Sequence, residues 1–185
     1  MNIFIVHAHP EPQSFTSAMK DAAVADFTAA GHQVVVSDLY AMNWNPVASA
    51  ADFGTRGNAD YMNYALEQRT NADAQTLSAD IVAELEKLEA ADLVIFSFPL
   101  YWFSVPAIMK GWFDRVLVSG RVYGGRRFYD QGGMKGKRAL LALTTGGRDH
   151  MLSEGGIHGD IKSILMPVLQ GTLAYTGMTV LPPFV

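Results

Sequence analysis

The 185-residue chain predicts an α/β fold in which a doubly wound, five-stranded parallel sheet carries helices on both faces. Two observations lead to this prediction. Short runs of consecutive apolar residues recur along the chain, and such runs are typical of parallel strands that are covered on both faces. Segments with helical periodicity alternate with these runs, which is the order that a sheet built from crossover connections needs.

Four apolar runs are predicted strands, and a fifth run is weaker. The four are residues 2–8, 32–38, 92–98 and 138–144, and the fifth is residues 178–184. Pro182 and Pro183 must end the fifth run, because proline has no backbone N–H to donate to a neighbouring strand. A chain that stops just after this strand leaves one side of the sheet without a helix. We therefore expect that a C-terminal segment is missing.

Four helices are predicted between and after these strands. The first has an apolar stripe of Phe15, Met19, Ala22, Ala23, Phe27 and Ala30 and stops at Gly31. The second points Ile81, Leu85 and Leu88 to the core and Glu84, Glu86, Lys87 and Glu89 to water. The third runs from Pro106 through Val116, and the fourth starts near Asp160 and kinks at Pro167. Residues 40–77 and 118–137 are predicted long connections, which in compact domains are usually functional.

The composition describes a globular protein, which we interpret as a single domain over residues 1–185. Hydrophobic residues make up 49% and charged residues 17%. The net charge of −4 argues against nucleic acid as a partner, and the lack of cysteine excludes disulfides and thiolate catalysis. No apolar run reaches the roughly 18–20 residues that cross a bilayer. The opening "MNIFIVHAHP" lacks the features of a signal peptide, so we expect a cytoplasmic location without membrane insertion.

Three unusual turns fall at the carboxyl ends of the predicted strands, where such sheets bind ligands. The first, "HAHPEPQSFTSAMK", lacks both the Rossmann and the Walker glycine patterns. Ser14, Phe15, Thr16 and Ser17 open a helix there, and its free N–H groups, its hydroxyls and His9 can together hold a phosphate or pyrophosphate. The alternative is an ordinary capped helix with a surface histidine.

The second turn is "FPLYWFSVP", in which consecutive aromatic residues follow a strand. Backbone N–H groups backed by aromatic rings suit a flat heterocycle with polar edges, such as an isoalloxazine. The alternative is that Trp102 and Phe103 pack against a neighbouring helix as core residues.

The third turn is "TTGGRDHMLSEGGIHGD", which begins with Thr144, Thr145, Gly146 and Gly147. Two glycines permit close approach to a ring. His158 is either an ordinary solvent-facing histidine or, because it shares an edge with the aromatic turn, a functional one. There is no HxxxH, HExxH or GxSxG pattern, so we expect neither a metal site nor hydrolytic chemistry.

These stretches resemble the NAD(P)H:quinone oxidoreductases of the DT-diaphorase type, which are flavodoxin-like flavoproteins. The similar blocks are "IVHAHPEPQSF", "VVVSDLYAMNWNP", "EAADLVIFSFPLYWFSVPAIMKGWFDRVL" and "TTGGRDHMLSEGGIHGD", and they span nearly the whole chain in the expected order. The resemblance implies a homodimer with flavin, usually FAD rather than FMN, at each of two interface sites. It also implies that NADPH or NADH delivers a hydride before a quinone takes two electrons in the same slot, by a ping-pong mechanism.

The resemblance assigns roles to individual positions of this chain. Those implied to bind the cofactor are His9, Phe15, Thr16, Ser17, Ala18, Pro99, Leu100, Tyr101, Trp102, Phe103, Thr144, Thr145, Gly146 and Gly147. His158 matches the family's active-site histidine, which stabilises charge as hydride moves. Tyr123, Gly125, Trp102 and Phe103 are the implied substrate-binding residues, and Tyr123 is expected to reach across from the other subunit.

The chain also departs from the family pattern. Leu152 stands where a tyrosine is common, and Gly125 replaces a second substrate-lining tyrosine, so we expect a wider mouth. The family's C-terminal segment with further FAD contacts has no counterpart here. Three alternatives stay open: an FMN-dependent azo or nitro reductase, a regulatory subunit of a potassium-efflux transporter that needs the same pocket, and a redox-silent domain that has lost flavin.

Overall fold

Five parallel strands form one sheet in the computed structural model, which describes residues 1–185. They are β1 (Asn2–His7), β2 (Gln33–Asp38), β3 (Leu93–Pro99), β4 (Arg138–Thr144) and β5 (Thr179–Val180). Their order across the sheet is β2-β1-β3-β4-β5, and every neighbouring pair is parallel. The predicted five-stranded parallel sheet is confirmed.

The fifth strand is much shorter than the seven residues predicted. Only Thr179 and Val180 pair with β4 as a strand, and Leu181 adds one more bond to the carbonyl of Ala139. Two prolines follow, and pairing resumes at Phe184, whose N–H donates to the carbonyl of Leu141 at 2.8 Å. The interruption has the predicted cause, because neither proline can donate a ladder hydrogen bond.

Six helical segments connect or follow the strands. They are α1 (Phe15–Ala29), α2 (Tyr64–Ala74), α3 (Ala79–Ala90), α4 (Ala107–Val116), α5 (Ile161–Ile164) and α6 (Met166–Val168), and a π-helical turn over Leu169–Ala174 continues α6. Gly31 ends α1 as predicted, with a left-handed φ of 81°. Asp160 caps α5, and the helix breaks before Pro167. None of these helices has the length and apolar character that a membrane crossing requires.

The core is divided unequally between the two faces of the sheet. One face packs with α3 and α4 into a cluster of 28 buried residues. The other face, under α1, contributes a cluster of only four buried residues. The predicted stripe on α1 is partly wrong, because Phe15, Ala22 and Ala30 are exposed. An apolar groove of about 460 Å³ opens instead between α1 and the sheet, from Met19 to Phe184.

Glu84 corrects the prediction for α3, because its side chain is fully buried rather than turned to water. Its carboxylate accepts hydrogen bonds from Trp112 Nε1 at 2.8 Å and from Ser37 Oγ at 2.9 Å, and it pairs with Lys87 at 2.5 Å. The helical stripe places position 84 beside Ile81 and Leu85, both buried. Three donors compensate the buried charge, which is why the core accepts a carboxylate at this position.

The connection over residues 40–77 is not the open loop that the sequence predicts. It contains α2 and a 3-10 turn over Ala50–Asp52. Arg115 of α4 anchors this connection, because its guanidinium donates to Asp52 and lies 4.6 Å from the centre of the Trp44 ring. The same guanidinium also donates to Asp80 of α3. This buried arrangement couples three segments that are far apart in the sequence.

Candidate functional site

The three unusual turns meet at the carboxyl edge of β1, β3 and β4. Two hydrogen bonds join them: Leu100 N–H donates to the carbonyl of Thr144 at 2.8 Å, and the hydroxyls of Thr16 and Thr144 lie 2.8 Å apart. Parallel strands end at the same edge of a sheet, so the topology alone brings these turns together. The structure thereby brings the three turns that the sequence singled out separately to one edge of the sheet.

The aromatic turn after β3 holds two bulky residues in a left-handed conformation. Trp102 has a φ of 48° and Phe103 a φ of 60°. Tyr101 and Ser104 close the turn with two reciprocal backbone hydrogen bonds, each 3.0 Å long. This pattern of positive φ at both central positions normally takes asparagine or glycine, and aromatic side chains there carry strain.

The side chains of this turn face solvent rather than the core. Trp102 is 95% exposed and Phe103 is 46% exposed, which rules out the alternative that they fill the interior. The backbone N–H groups of these two residues have no partner within the chain. The turn therefore presents two free donors and two rings at the same edge of the sheet, and its backbone strain at Trp102 is not offset by packing of that side chain.

An open crevice of about 310 Å³ lies beside the aromatic turn. It is lined by Leu100, Trp102, Phe103, Thr145, Gly146, Gly147, Leu152 and His158. The exposed imidazole of His158 lies with its centre 5.2 Å from that of the Phe103 ring, at an angle of 56°. The aromatic turn after β3 forms one wall of this crevice, and the turn after β4, which includes His158, forms the other.

The two glycines in this crevice are not required by the fold of the chain itself. Neither has a positive φ, and a methyl group added at Gly146 would meet nothing within 4 Å. A methyl group added at Gly147 would only touch the Leu152 side chain at 3.6 Å, an ordinary contact. The space that a side chain would fill at Gly146 is left open toward the crevice, so a flat ligand can approach this backbone closely.

The first turn of α1 supplies donors from its backbone rather than from its hydroxyls. Ser14 caps the helix by accepting from Ser17 N–H at 3.1 Å, while the hydroxyls of Thr16 and Ser17 are bonded within the protein. The N–H groups of Phe15 and Thr16 have no partner within the chain. Because a helix N-terminus carries partial positive charge, these two N–H groups are suited to an anion.

His9 lies just before this helix and is partly exposed. Its Nδ1 accepts from Glu11 N–H at 2.9 Å and also lies 3.1 Å from the carbonyl oxygen of Glu11. The shorter contact favours the tautomer with the proton on Nε2. Nε2 has no partner within the chain. His9 can therefore donate to an anion near the two free N–H groups.

Tyr123 and Gly125 are predicted site residues that lie neither in the three turns nor in the lining of this crevice. Tyr123 lines a different cavity of about 470 Å³ between α2, α4 and the π-helical turn, where its ring centre lies 6.1 Å from that of Tyr175. Burial there raises the pKa of Tyr123. Gly125 lies in an exposed turn with a φ of 64°. A role for either residue at the crevice requires a second copy of the chain.

His7 and Ser97 are site-edge residues that the sequence analysis treated as ordinary strand positions. Both are buried, at the carboxyl ends of β1 and β3, and they pair across the two strands. His7 Nδ1 lies 3.1 Å from Ser97 Oγ, and His7 Nε2 lies 3.2 Å from Ser17 Oγ on α1. The signal in the sequence was a polar residue one position before the end of a largely apolar run, at His7 in residues 2–8 and at Ser97 in residues 92–98.

Comparison with known proteins agrees with the observed fold. A family model described as a flavodoxin-like fold matches residues 1–185. The chain is 51% identical over 180 residues to NAD(P)H dehydrogenase (quinone) 1 of Rattus norvegicus, covering 97% of this chain and 66% of that protein. It is 47% identical over 182 residues to ribosyldihydronicotinamide dehydrogenase (quinone) of Mus musculus, covering 98% of this chain and 79% of that protein.

A solved structure shows the same likeness in three dimensions. A Klebsiella pneumoniae protein assigned as a quinone reductase superimposes with a TM-score of 0.96 at 46% identity, over 100% of this chain and 74% of the other. The chain thus spans 66–79% of the length of these three relatives, at 46–51% identity. It belongs to the family of flavodoxin-like NAD(P)H:quinone oxidoreductases.

Proposed function

We propose that the chain is a flavin-dependent oxidoreductase that transfers a hydride from NADPH or NADH to a quinone. The observation that carries the proposal is the exposed, strained turn at Trp102 and Phe103, which faces the open crevice with two free N–H groups. Strain of this kind persists where the surrounding structure and a ligand need it. The names of the mammalian relatives, at 47–51% identity, support the same reaction class.

The residues at the crevice suit a flavin. Gly146 leaves room for a ring to lie close to the backbone, and the N–H groups of Trp102 and Phe103 are positioned to donate to polar ring atoms. Phe15 N–H, Thr16 N–H and His9 Nε2 are free to hold the phosphate end. When bound, the flavin supplies the hydride-transfer chemistry. The resemblance to the family favours FAD over FMN.

The protein's own part in the reaction is to position the two substrates and to stabilise the charge that develops. Trp102 and Phe103 form an apolar wall against which nicotinamide and then quinone can stack in turn. His158, beside Phe103, can donate a hydrogen bond where negative charge develops during hydride transfer. Such a bond is stronger in the transition state than in the ground state, and it therefore lowers the barrier. Leu152 cannot contribute a phenol to the crevice, so His158 is the ionisable side chain that lines it.

The proposal includes a homodimer in the cytoplasm. Tyr123 and Gly125 lie outside the crevice of their own chain, so a substrate role for them needs the partner subunit. Exposed apolar side chains near α2 suit an interface, since Val47 is 64% exposed and Leu66 is 58% exposed. Sedimentation analysis should give twice the mass of the chain, and a monomer that still turns over quinone would contradict the shared site.

The first test is an absorbance spectrum of the purified protein, followed by anaerobic titration with NADPH and then with menadione. We expect a yellow protein whose visible band is bleached by one equivalent of NADPH per chain and restored by one equivalent of menadione. Flavin released by heat and identified by chromatography separates FAD from FMN. A colourless protein that stays colourless after reconstitution with either flavin would overturn the proposal.

Steady-state kinetics test whether both substrates use one slot. With a single crevice, the oxidised nicotinamide must leave before quinone enters, so initial rates plotted for several fixed quinone concentrations should give parallel double-reciprocal lines. Intersecting lines would mean that both substrates bind together and that the shared slot is wrong.

A further inference from the structure

His7 links three elements beneath the candidate phosphate site. It is the last residue of β1, only 1% exposed, and its side chain points to the face of the sheet that α1 covers. One ring nitrogen lies 3.1 Å from Ser97 Oγ at the end of β3, and the other lies 3.2 Å from Ser17 Oγ in the first turn of α1. The imidazole therefore bridges the sheet edge to the turn that carries the free N–H groups.

The neighbouring hydrogen bonds define which ring nitrogen carries the proton. The Ser17 hydroxyl donates to the carbonyl of Glu11 at 3.0 Å and accepts from the Ser14 hydroxyl at 2.9 Å. Since its one proton is already used, Ser17 can only accept from His7, so Nε2 carries the proton. Nδ1 is then an acceptor, and the Ser97 hydroxyl, which has no other side-chain partner, donates to it.

This chain of bonds determines the shape of the anion-binding turn. Ser17 is held by His7, and it holds in turn the hydroxyl of Ser14 and the carbonyl of Glu11. Those contacts close the turn so that Phe15 N–H and Thr16 N–H are left free at its mouth. We infer that His7 is a positioning residue for the phosphate group of the cofactor, acting through Ser17 on the first turn of α1.

The inference rests on the proposed function, and it adds a residue that the resemblance does not assign. His7 does not line the crevice, so we expect its effect at the end of the cofactor that carries phosphate. The neutral state suits this role, because burial lowers the pKa of His7 to about 4. Of the charged groups around it, Lys20 and His9 lower this pKa further, whereas Asp38 and Asp21 oppose them.

The test compares binding of FAD, FMN and riboflavin to the flavin-free protein, by quenching of flavin fluorescence. In His7→Leu, the dissociation constants of FAD and FMN should rise about tenfold, the effect of losing roughly one charge-assisted hydrogen bond. Binding of riboflavin, which lacks phosphate, should be unchanged. His32→Leu, which removes an imidazole just beyond the other end of α1, should leave all three affinities at the wild-type value.

Two further variants and one spectrum keep the result interpretable if His7→Leu folds poorly. Ser17→Ala should show the same selective loss, whereas His7→Gln, which keeps a donor to Ser17, should recover most of the FAD affinity. Nitrogen-15 NMR of the wild-type protein should show the proton on Nε2 of His7. An equal loss for riboflavin, or no loss for FAD, would overturn the inference. Wild-type protein that binds no flavin would instead overturn the proposed function.

Discussion

At the scale of single residues, Trp102 shows why exposure and strain together indicate function. A bulky residue with a φ of 48° and a side chain 95% exposed gains nothing from packing within its own chain. Isolated exposed apolar residues are common on protein surfaces and mean little. The combination with a second left-handed aromatic residue, Phe103, and with free backbone N–H groups is what distinguishes this turn.

Replacing Trp102 by alanine should reduce activity without reducing stability. Loss of one stacking partner should lower kcat/KM for NADPH roughly three- to tenfold. The free energy of unfolding should stay within about 0.5 kcal/mol of wild type, because the side chain packs against nothing. Tyr61→Ala removes another exposed ring, 71% exposed, and should change neither quantity. A destabilised Trp102→Ala protein would show that the ring is packed after all.

At the scale of elements, buried polar groups join α3 and α4 to the sheet. Glu84 of α3 bonds to Trp112 of α4 and to Ser37 of β2, while Arg115 of α4 bonds to Asp52 and Asp80. Such contacts stabilise a fold only while all partners are present, because a buried group that loses its partner carries the full desolvation penalty. These contacts hold α4, which is the helix that follows the aromatic turn of the candidate site.

Substituting Glu84 by alanine should therefore destabilise the protein by about 2–3 kcal/mol, since it leaves Trp112 Nε1 without an acceptor and creates a cavity. Glu86→Ala on the exposed side of the same helix should change stability by less than about 0.5 kcal/mol. Urea denaturation of both variants measures the difference. Equal effects would mean that Glu84 is solvated as the sequence pattern suggested.

Gly111 illustrates how one small residue positions a long connection. A Cβ at this position in α4 would lie 2.1 Å from the carbonyl oxygen of Pro46, so the connection over residues 40–77 can pack against α4 only because the side chain is absent. Glycine in a helix interior normally costs up to about 1 kcal/mol relative to alanine.

Changing Gly111 to alanine should consequently destabilise the protein, against the usual trend for helical glycines. We expect a loss of at least about 2 kcal/mol in thermal or urea unfolding, because backbone must move. Gly171→Ala is the matched control: it lies in the π-helical turn with nothing within 4 Å of its Cβ position and should be neutral or stabilising. A stable Gly111→Ala protein would contradict the close approach of Pro46.

At the scale of the whole molecule, burial of His7 predicts a dependence of stability on pH. The folded chain holds the pKa of His7 at about 4, below the ordinary value of 6.5. As the pH falls below 6.5, the unfolded chain binds a proton that the folded chain refuses, so stability declines until about pH 4. The full effect is about 3 kcal/mol.

Denaturation curves of wild type and His7→Leu between pH 7 and pH 4 test this expectation. The wild type should lose about 3 kcal/mol more than the variant over this range, because leucine does not titrate. The comparison cancels contributions from carboxylates such as Asp80, whose pKa is lowered because its hydrogen bond and ion pair with Arg115 outweigh its burial. Parallel pH profiles for the two proteins would mean that His7 is accessible to protons in the folded state.

Local patterns in the sequence were sufficient to predict the sheet and the position of the candidate site. Apolar runs and helical periodicity are local properties, so they located four strands to within a residue or two, the end of α1 at Gly31 and the break before Pro167. The rule that parallel strands expose their carboxyl ends together then brought the three unusual turns to one edge. No contact between distant residues had to be known for either step.

The burial and the partners of individual polar side chains could be learned only from the three-dimensional fold. The burial of Glu84, the helix α2 inside the 40–77 connection, and the bridge from His7 to Ser17 and Ser97 depend on partners that are remote in sequence. Tyr123 faces a separate cavity for the same reason. The periodicity of a helix or strand gives the direction of a side chain, but whether a polar group is buried depends on whether folding brings it a partner.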